Sequence, residues 1–177
     1  MILQPVVEGQ GEEAAVPVLL RRLVEAADAW GLQVARPHRR KRSQLVNETQ
    51  LRKSIRLAGL TPGCGAILVL FDADDDCPRE IAPALSTWAR DEARPLPCEV
   101  VLANREYEAW LLAGLAPLRG QRIRADALEH PDPETPRDAK GEIEARLNLG
   151  RTYMPTVDQA PLTARFDLAS AYRTCRS

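Results

Sequence analysis

The chain has 177 residues, enough for one domain with a substantial hydrophobic core and too few for two. A net charge of −1 argues against a protein that coats nucleic acid by bulk charge, although it is compatible with a local basic patch. No apolar run is long enough to span a membrane, and the four cysteines lack C-x-x-C spacing, so we expect a cytoplasmic protein with reduced thiols and no zinc site.

Apolar runs typical of buried strands alternate with helical patterns over the first 103 residues. Strands are predicted at residues 2–7, 32–35, 66–71 and 98–103, and helices at 12–30, 48–60 and 79–93. This alternation predicts an α/β fold with a Rossmann-like parallel sheet and flanking helices. Shorter helical patterns follow at 104–113, 142–149 and 162–172, with an exposed loop at 129–136. We assign residues 1–120 to the α/β domain and 121–177 to a loop and helical extension packed on it.

Two of the predicted strands end in carboxylates. Asp72 and Asp74 follow the strand at 66–71, and they would project to the same side if the chain stayed extended. Glu8 ends the first strand, and Glu12 falls in the first turn of the next helix. The carboxyl ends of parallel strands are where ligands bind in such sheets, and clustered carboxylates require a cation or a proton. Mg²⁺ prefers oxygen ligands, so the pattern predicts a divalent metal site.

Simpler interpretations of the same residues exist. Asp72 and Asp74 would also suit a solvated acidic turn after a core strand. Glu12 and the adjacent Glu13 would stabilise the positive end of the helix dipole. Glu8 has no such alternative role, and its presence at a second strand end favours the metal site.

A run of five basic residues within seven positions follows the second predicted strand. Its members are Arg36, Arg39, Arg40, Lys41 and Arg42. Cations bind phosphates without strict geometry, so we expect these residues to contact a nucleic-acid backbone without reading its sequence. A solvated loop is the alternative. The few scattered aromatic residues offer no platform for stacking single-stranded bases.

The order of the acidic motifs resembles that of a Toprim domain, the metal-binding α/β fold shared by topoisomerases, primases and OLD-family nucleases. The elements are Glu8-Gly-x-x-Glu12, an apolar strand leading into Asp72-x-Asp74, and an acidic segment with Glu106 and Glu108. The chain is most similar to a Toprim-like family, domain-of-unknown-function family 4276, and the similarity spans nearly all of it.

The resemblance implies one or two Mg²⁺ or Mn²⁺ ions that activate a water for phosphodiester hydrolysis. Asp72 and Asp74 would be the central ligands, while Glu8 and Glu12 would bind a metal or act in acid–base catalysis. Glu106 or Glu108 would complete the site, with Glu108 favoured because Ala109-Trp110 follows it as in the family.

OLD-type nucleases also place a lysine near the scissile phosphate, and Lys140 is the candidate here. A plain solvated lysine is the alternative. The resemblance further implies a C-terminal helix beyond Ser177.

We therefore expect a Mg²⁺- or Mn²⁺-dependent nuclease acting on DNA or RNA. The resemblance implies an effector subunit of an antiphage or toxin-like system, with a homodimer as one compatible assembly. A separate protein would supply any ATPase, because this chain has no G-x-x-x-x-G-K-[ST] motif.

Two other functions stay open. The first is a catalytically silent, metal-binding regulatory or scaffold subunit. The second is a phosphatase similar to haloacid dehalogenases with Asp72 as nucleophile, although Asp76 stands where that family has Thr or Val and the strand is internal.

Overall fold

The computed structural model describes residues 1–177 as an α/β protein built on one five-stranded parallel sheet. The predicted fold class, a Rossmann-like sheet with flanking helices, is confirmed. The strands are β1 (Ile2–Val7), β2 (Gln33–Val34), β3 (His38–Arg39), β4 (Cys64–Asp72) and β5 (Cys98–Ala103). Their order is β2-β1-β4-β5, and β3 pairs with the end of β1 beyond β2.

Helices follow the strands and cover both faces of the sheet. They are α1 (Gln10–Ala26), α2 (Arg42–Leu45), α3 (Glu48–Gly59), α4 (Pro78–Ala93), α5 (Glu108–Ala113), α6 (Ala139–Glu144), α7 (Ala160–Thr163) and α8 (Leu168–Thr174). A 3-10 turn spans Ala116–Leu118, and a π-helical turn spans Pro155–Gln159. None of the helices combines the length and apolar character needed to cross a bilayer.

Alternating side chains of β4 supply two hydrophobic cores. Val69 and Phe71 pack on one face with α3 and α4. Leu70 packs on the other face with α1 and α5. Residues of the C-terminal extension, including Ile143 and Phe166, join this second core, so the extension and the sheet share one hydrophobic interior. By the alternation of the strand, Asp72 emerges on the same face as Leu70.

The predicted elements agree with the structure best where the pattern is long. Asn47 caps α3, since its side chain accepts a hydrogen bond from the Gln50 N–H at 3.1 Å. The prediction missed β3, which lies inside the basic run. The single helix predicted at 162–172 is two helices, because Asp167 accepts hydrogen bonds from the Ala169 and Ser170 N–H groups and begins α8 anew.

Candidate functional site

A cavity of about 510 Å³ opens at the carboxyl ends of β1 and β4, and no hydrophobic residue lines it. This is the edge of the sheet at which the sequence predicts ligand binding. Five carboxylates line the cavity together with two cationic side chains. They are Glu8, Glu12, Asp72, Asp74, Glu108, Arg39 and Lys140.

The turn between β1 and α1 is held by Glu12. Its Oε2 accepts hydrogen bonds from the N–H groups of Glu8 at 3.0 Å and Gly9 at 3.1 Å. Gly9 is the N-cap of α1 and has no side chain, and the Glu12 carboxylate at the third helical position reaches back to accept from the Gly9 N–H. Burial raises the pKa of Glu12 to about 7, against the two N–H donors, which lower it. Glu12 therefore combines the structural role and the site position that the sequence analysis treated as alternatives.

Asp72 ends β4 with its carboxylate inside the protein. Its Oδ1 accepts a hydrogen bond from the Tyr107 N–H at 2.7 Å. Burial raises the pKa of Asp72 well above its usual range, and the charges of Glu12 and Glu108 raise it further. Lys140 acts in the opposite direction.

Asp74 reaches the same cavity by a different backbone path from the one expected. The chain leaves the extended conformation after Asp72, and Asp74 adopts a left-handed conformation with φ of 51°. Its N–H donates to the Arg105 carbonyl at 2.9 Å, which fixes the turn. Asp72 and Asp74 therefore line the same cavity, but not because the alternation of the strand continues to Asp74.

Glu108 begins α5 at the closed end of the cavity, and its side chain is fully buried. Tyr153 donates a hydrogen bond from its hydroxyl to Glu108 Oε1 at 2.8 Å, and Gln159 Nε2 lies 3.4 Å from the same oxygen. Burial raises the pKa of Glu108, and Lys140 and Tyr153 lower it. Glu106, the other candidate, does not line this cavity.

Lys140 connects the acidic residues. Its Nζ lies 3.0 Å from Glu106 Oε1, 3.6 Å from Glu108 Oε2 and 3.9 Å from Asp72 Oδ2. Glu106 Oε2 also accepts a hydrogen bond from the Lys140 N–H at 3.2 Å. These carboxylates raise the pKa of Lys140 despite burial, so it is a permanent cation. The structure thus brings the predicted lysine into the predicted site.

The basic run divides into two parts in the structure. Arg36, Arg39 and Arg40 line a second cavity of about 610 Å³, and Arg39 borders the acidic cavity as well. Lys41 is exposed beside them. These four residues remain candidates for phosphate contact.

Arg42 turns inward instead. It donates hydrogen bonds to the carbonyl oxygens of Asp72 and Ala73 and to the Asp76 carboxylate, and its Nε lies 3.4 Å from Asp74 Oδ2. A planar guanidinium satisfies several acceptors at once. The structure therefore favours a scaffolding role for Arg42, which holds the acidic loop, over the expected contact with phosphate.

The family profile described as "Domain of unknown function (DUF4276)" matches residues 7–177. The chain belongs to this family. No match was found among curated proteins or among solved structures. The span matched by the DUF4276 profile contains every carboxylate of the cavity, Lys140 and the residues that hold Glu108.

The donor atoms of this DUF4276 site suit Mg²⁺ or Mn²⁺ in chemical type. Glu8 Oε2 and Glu108 Oε2 are buried acceptors without a hydrogen-bond partner, and a cation would satisfy them. No three His, Cys, Asp or Glu side chains are already arranged to hold a metal ion. Such a group of three is missing because Lys140 lies among the carboxylates. In addition, one oxygen of Glu12 and one of Asp72 already accept hydrogen bonds from backbone N–H groups.

Sequence reasoning missed three contributors to the site. Tyr153 and Gln159 lie in an irregular segment whose pattern indicates neither strand nor helix. Gly11 lies under that segment, where a Cβ atom would come within 2.8 Å of the Pro155 carbonyl oxygen. Gly9 and Gly11 closely follow Glu8, and glycines at such a strand end are a usable sequence signal for a close approach of this kind.

Proposed function

We propose that this DUF4276 protein is a Mg²⁺- or Mn²⁺-dependent phosphodiester hydrolase that acts on DNA or RNA. We further propose that its sheet is Toprim-like and related to that of OLD-family nucleases. One observation carries the proposal: five carboxylates and a half-buried lysine, Lys140, meet in one cavity at the carboxyl ends of β1 and β4. Structural ion pairs seldom concentrate so much like charge, whereas hydrolytic metal sites need it.

Each part of the cavity has a proposed task. Glu8, Asp72, Asp74 and Glu108 would hold the metal, which when bound lowers the pKa of a water and neutralises charge on the phosphate. Lys140 supplies a fixed positive charge beside the reacting phosphate. Glu12, with its pKa raised to about 7, holds or releases a proton near neutrality.

The basic cavity favours a polymeric anion as the substrate. Arg39 borders both cavities, so a phosphate chain in the reaction site would continue into the groove lined by Arg36 and Arg40. Glu13 lies 3.9 Å from Arg36 and 3.6 Å from Arg39 and neutralises only part of this charge. A small phosphate ester would leave the groove unused.

The proposed partners rest on the resemblance to OLD-family nucleases and not on the geometry of the cavities. Without a nucleotide-binding motif of its own, the chain would take ATP hydrolysis from a separate protein. We infer an effector subunit of an antiphage or toxin-like system, acting in the cytoplasm without membrane contact and compatible with a homodimer.

One observation favours a second candidate, a metal-binding subunit without turnover. Lys140 lies 3.0 to 3.9 Å from three carboxylates and offsets part of their charge, and that is what a silent site would need for stability. Such a subunit would bind ions and cleave nothing.

The test is incubation of the pure protein with supercoiled plasmid, linear single-stranded DNA and RNA, each in Mg²⁺, Mn²⁺ or EDTA. Asp72→Asn keeps the shape of the side chain and removes its charge, so cleavage should fall by about 100-fold or more. Glu25→Gln, an exposed carboxylate change on α1, is the matched control and should cleave like wild type.

Metal-dependent cleavage that survives in Asp72→Asn would contradict the proposal. Metal binding without cleavage would support the silent subunit. Hydrolysis of p-nitrophenyl phosphate but of no polymer would support the phosphatase alternative.

A further inference from the structure

Segment 153–159 supplies two side chains that contact Glu108, and neither belongs to the carboxylate motifs. Tyr153 is buried and donates its hydroxyl hydrogen to Glu108 Oε1 at 2.8 Å. Gln159 is 3% exposed, and its Nε2 lies 3.4 Å from the same oxygen. Both contacts go to Oε1 of Glu108. The other oxygen of this carboxylate, Oε2, is therefore left for a different contact.

Glu108 Oε2 is buried, has no hydrogen-bond partner and lies 3.6 Å from Lys140 Nζ. Gln159 Oε1 is likewise buried without a donor in the same cavity. With Glu8 Oε2 the cavity keeps three such acceptors. A buried acceptor left without a donor is costly, so a site that keeps several is suited to a cation.

We propose that Tyr153 and Gln159 are positioning residues that bind Glu108 Oε1 and keep Oε2 free to coordinate the metal. The inference rests on the proposed metal site and deepens it. Outer hydrogen bonds of this kind fix the orientation of a ligating carboxylate, and losing one commonly costs 10- to 100-fold in metal affinity. Tyr153 would act through Glu108 and touch neither substrate nor metal.

Packing against α1 and hydrogen bonds to Asp158 hold segment 153–159 in a fixed position. Gly11 on α1 allows the Pro155 carbonyl to approach closely, and a Cβ atom there would lie 2.8 Å from its oxygen. Asp158, buried in the same turn, accepts hydrogen bonds from the Met154 N–H at 3.0 Å and from Arg122 at 2.8 Å. The turn that carries Gln159 is thus fixed from both sides.

The test is the affinity for Mn²⁺ alone, measured by electron paramagnetic resonance without nucleic acid. Tyr153→Phe removes only the hydroxyl, and Mn²⁺ binding should weaken by about 10- to 100-fold. Gln159→Leu should weaken it less, by about 3- to 10-fold, because its contact is longer. With substrate, kcat should fall while KM changes little.

Thr163→Val is the matched control for a buried hydroxyl. Thr163 hydrogen-bonds the Tyr107 hydroxyl at 3.0 Å and touches no carboxylate of the cavity. Loss of the Thr163 hydroxyl should lower Tm by a few degrees, as loss of the Tyr153 hydroxyl should, and leave Mn²⁺ affinity unchanged.

Three outcomes would overturn the inference. They are wild-type Mn²⁺ affinity in Tyr153→Phe, or in Gln159→Leu if the first variant does not fold; equal weakening in Thr163→Val; and no Mn²⁺ binding by the wild type. Mn²⁺ binding by a wild type that cleaves nothing would count against the proposed function alone, because the affinities of the variants could still be compared.

Discussion

Glu12 shows how a single buried acid can be both useful and destabilising. With its pKa at about 7, the folded protein holds a proton that the unfolded chain loses above about 4.5. Stability of the metal-free protein should therefore fall as pH rises from about 4.5 to about 7 and stay low above that. Selection for stability alone would replace such a residue, so its presence in the first turn of α1 is consistent with a functional role.

The corresponding prediction concerns Glu12→Gln in EDTA. The amide oxygen of glutamine still accepts the Glu8 and Gly9 N–H bonds, and no charge is buried. At pH 8 the variant should be more stable than wild type by on the order of 3 kcal/mol, and the difference should vanish near pH 4. Urea unfolding at both pH values measures it, with Glu25→Gln as the exposed control. A variant no more stable than wild type at pH 8 would disprove this account.

Lys140 acts as an internal counter-ion at the same scale. Without it, Asp72 and Glu108 would face each other as buried charges with no nearby cation. The side chain is 40% exposed, so its contribution to stability is smaller than that of a fully buried pair. On the proposed function, Lys140 would matter more for binding a phosphate than for holding the fold.

At the scale of elements, the contact between α1 and the Pro155–Gln159 turn joins the N-terminal and C-terminal parts of the fold. Gly11→Ala would place a Cβ atom 2.8 Å from the Pro155 carbonyl oxygen, and a backbone atom cannot move aside as a side chain can. We expect a loss of about 1–3 kcal/mol in the free energy of unfolding, although alanine favours helices over glycine. Mn²⁺ affinity should fall as well.

Gly31→Ala is the matched control for that variant, because a Cβ atom there meets nothing within 4 Å. Thermal unfolding and Mn²⁺ titration of both variants provide the comparison. If Gly11→Ala were as stable as Gly31→Ala and bound Mn²⁺ like wild type, the close approach would not support the site.

How far sequence could predict these elements depended on their length. The strand at β5 and the helix at α3 carry long periodic patterns and were placed within a residue. The two-residue strand β3 is fixed by pairing with Val6 and Val7, a long-range contact that the sequence pattern cannot reveal. The acidic motifs at Glu8 and Asp72 were visible because each follows an apolar strand, whereas Tyr153 joins the site only through tertiary packing.

At the scale of the whole molecule, the net charge of −1 does not show that basic and acidic side chains lie in separate regions of the surface. The basic groove and the acidic cavity lie side by side and share Arg39. If the groove binds a phosphate backbone, affinity should fall steeply with salt, since each neutralised phosphate releases a counterion.

Arg36→Ala and Arg40→Ala should each reduce the slope of log K against log salt by about 0.7–0.9. Fluorescence anisotropy of a labelled oligonucleotide in EDTA measures this without cleavage. Arg21→Ala, an exposed arginine on α1 outside the groove, should leave the slope unchanged. If the slope of log K against log salt were the same in all three variants, the nucleic acid would bind outside the basic groove.

The distribution of the cavity along the chain has a consequence for biosynthesis. Its residues run from Glu8 to Gln159, and Lys140, Tyr153 and Gln159 come from the C-terminal part. A chain emerging from the ribosome can pair β1, β4 and β5 while these three residues are still absent. Until they arrive, the sheet carries unneutralised carboxylates and an unoriented Glu108. On the proposed function, a hydrolase built this way would be harmless to nearby RNA until Gln159 had left the ribosome.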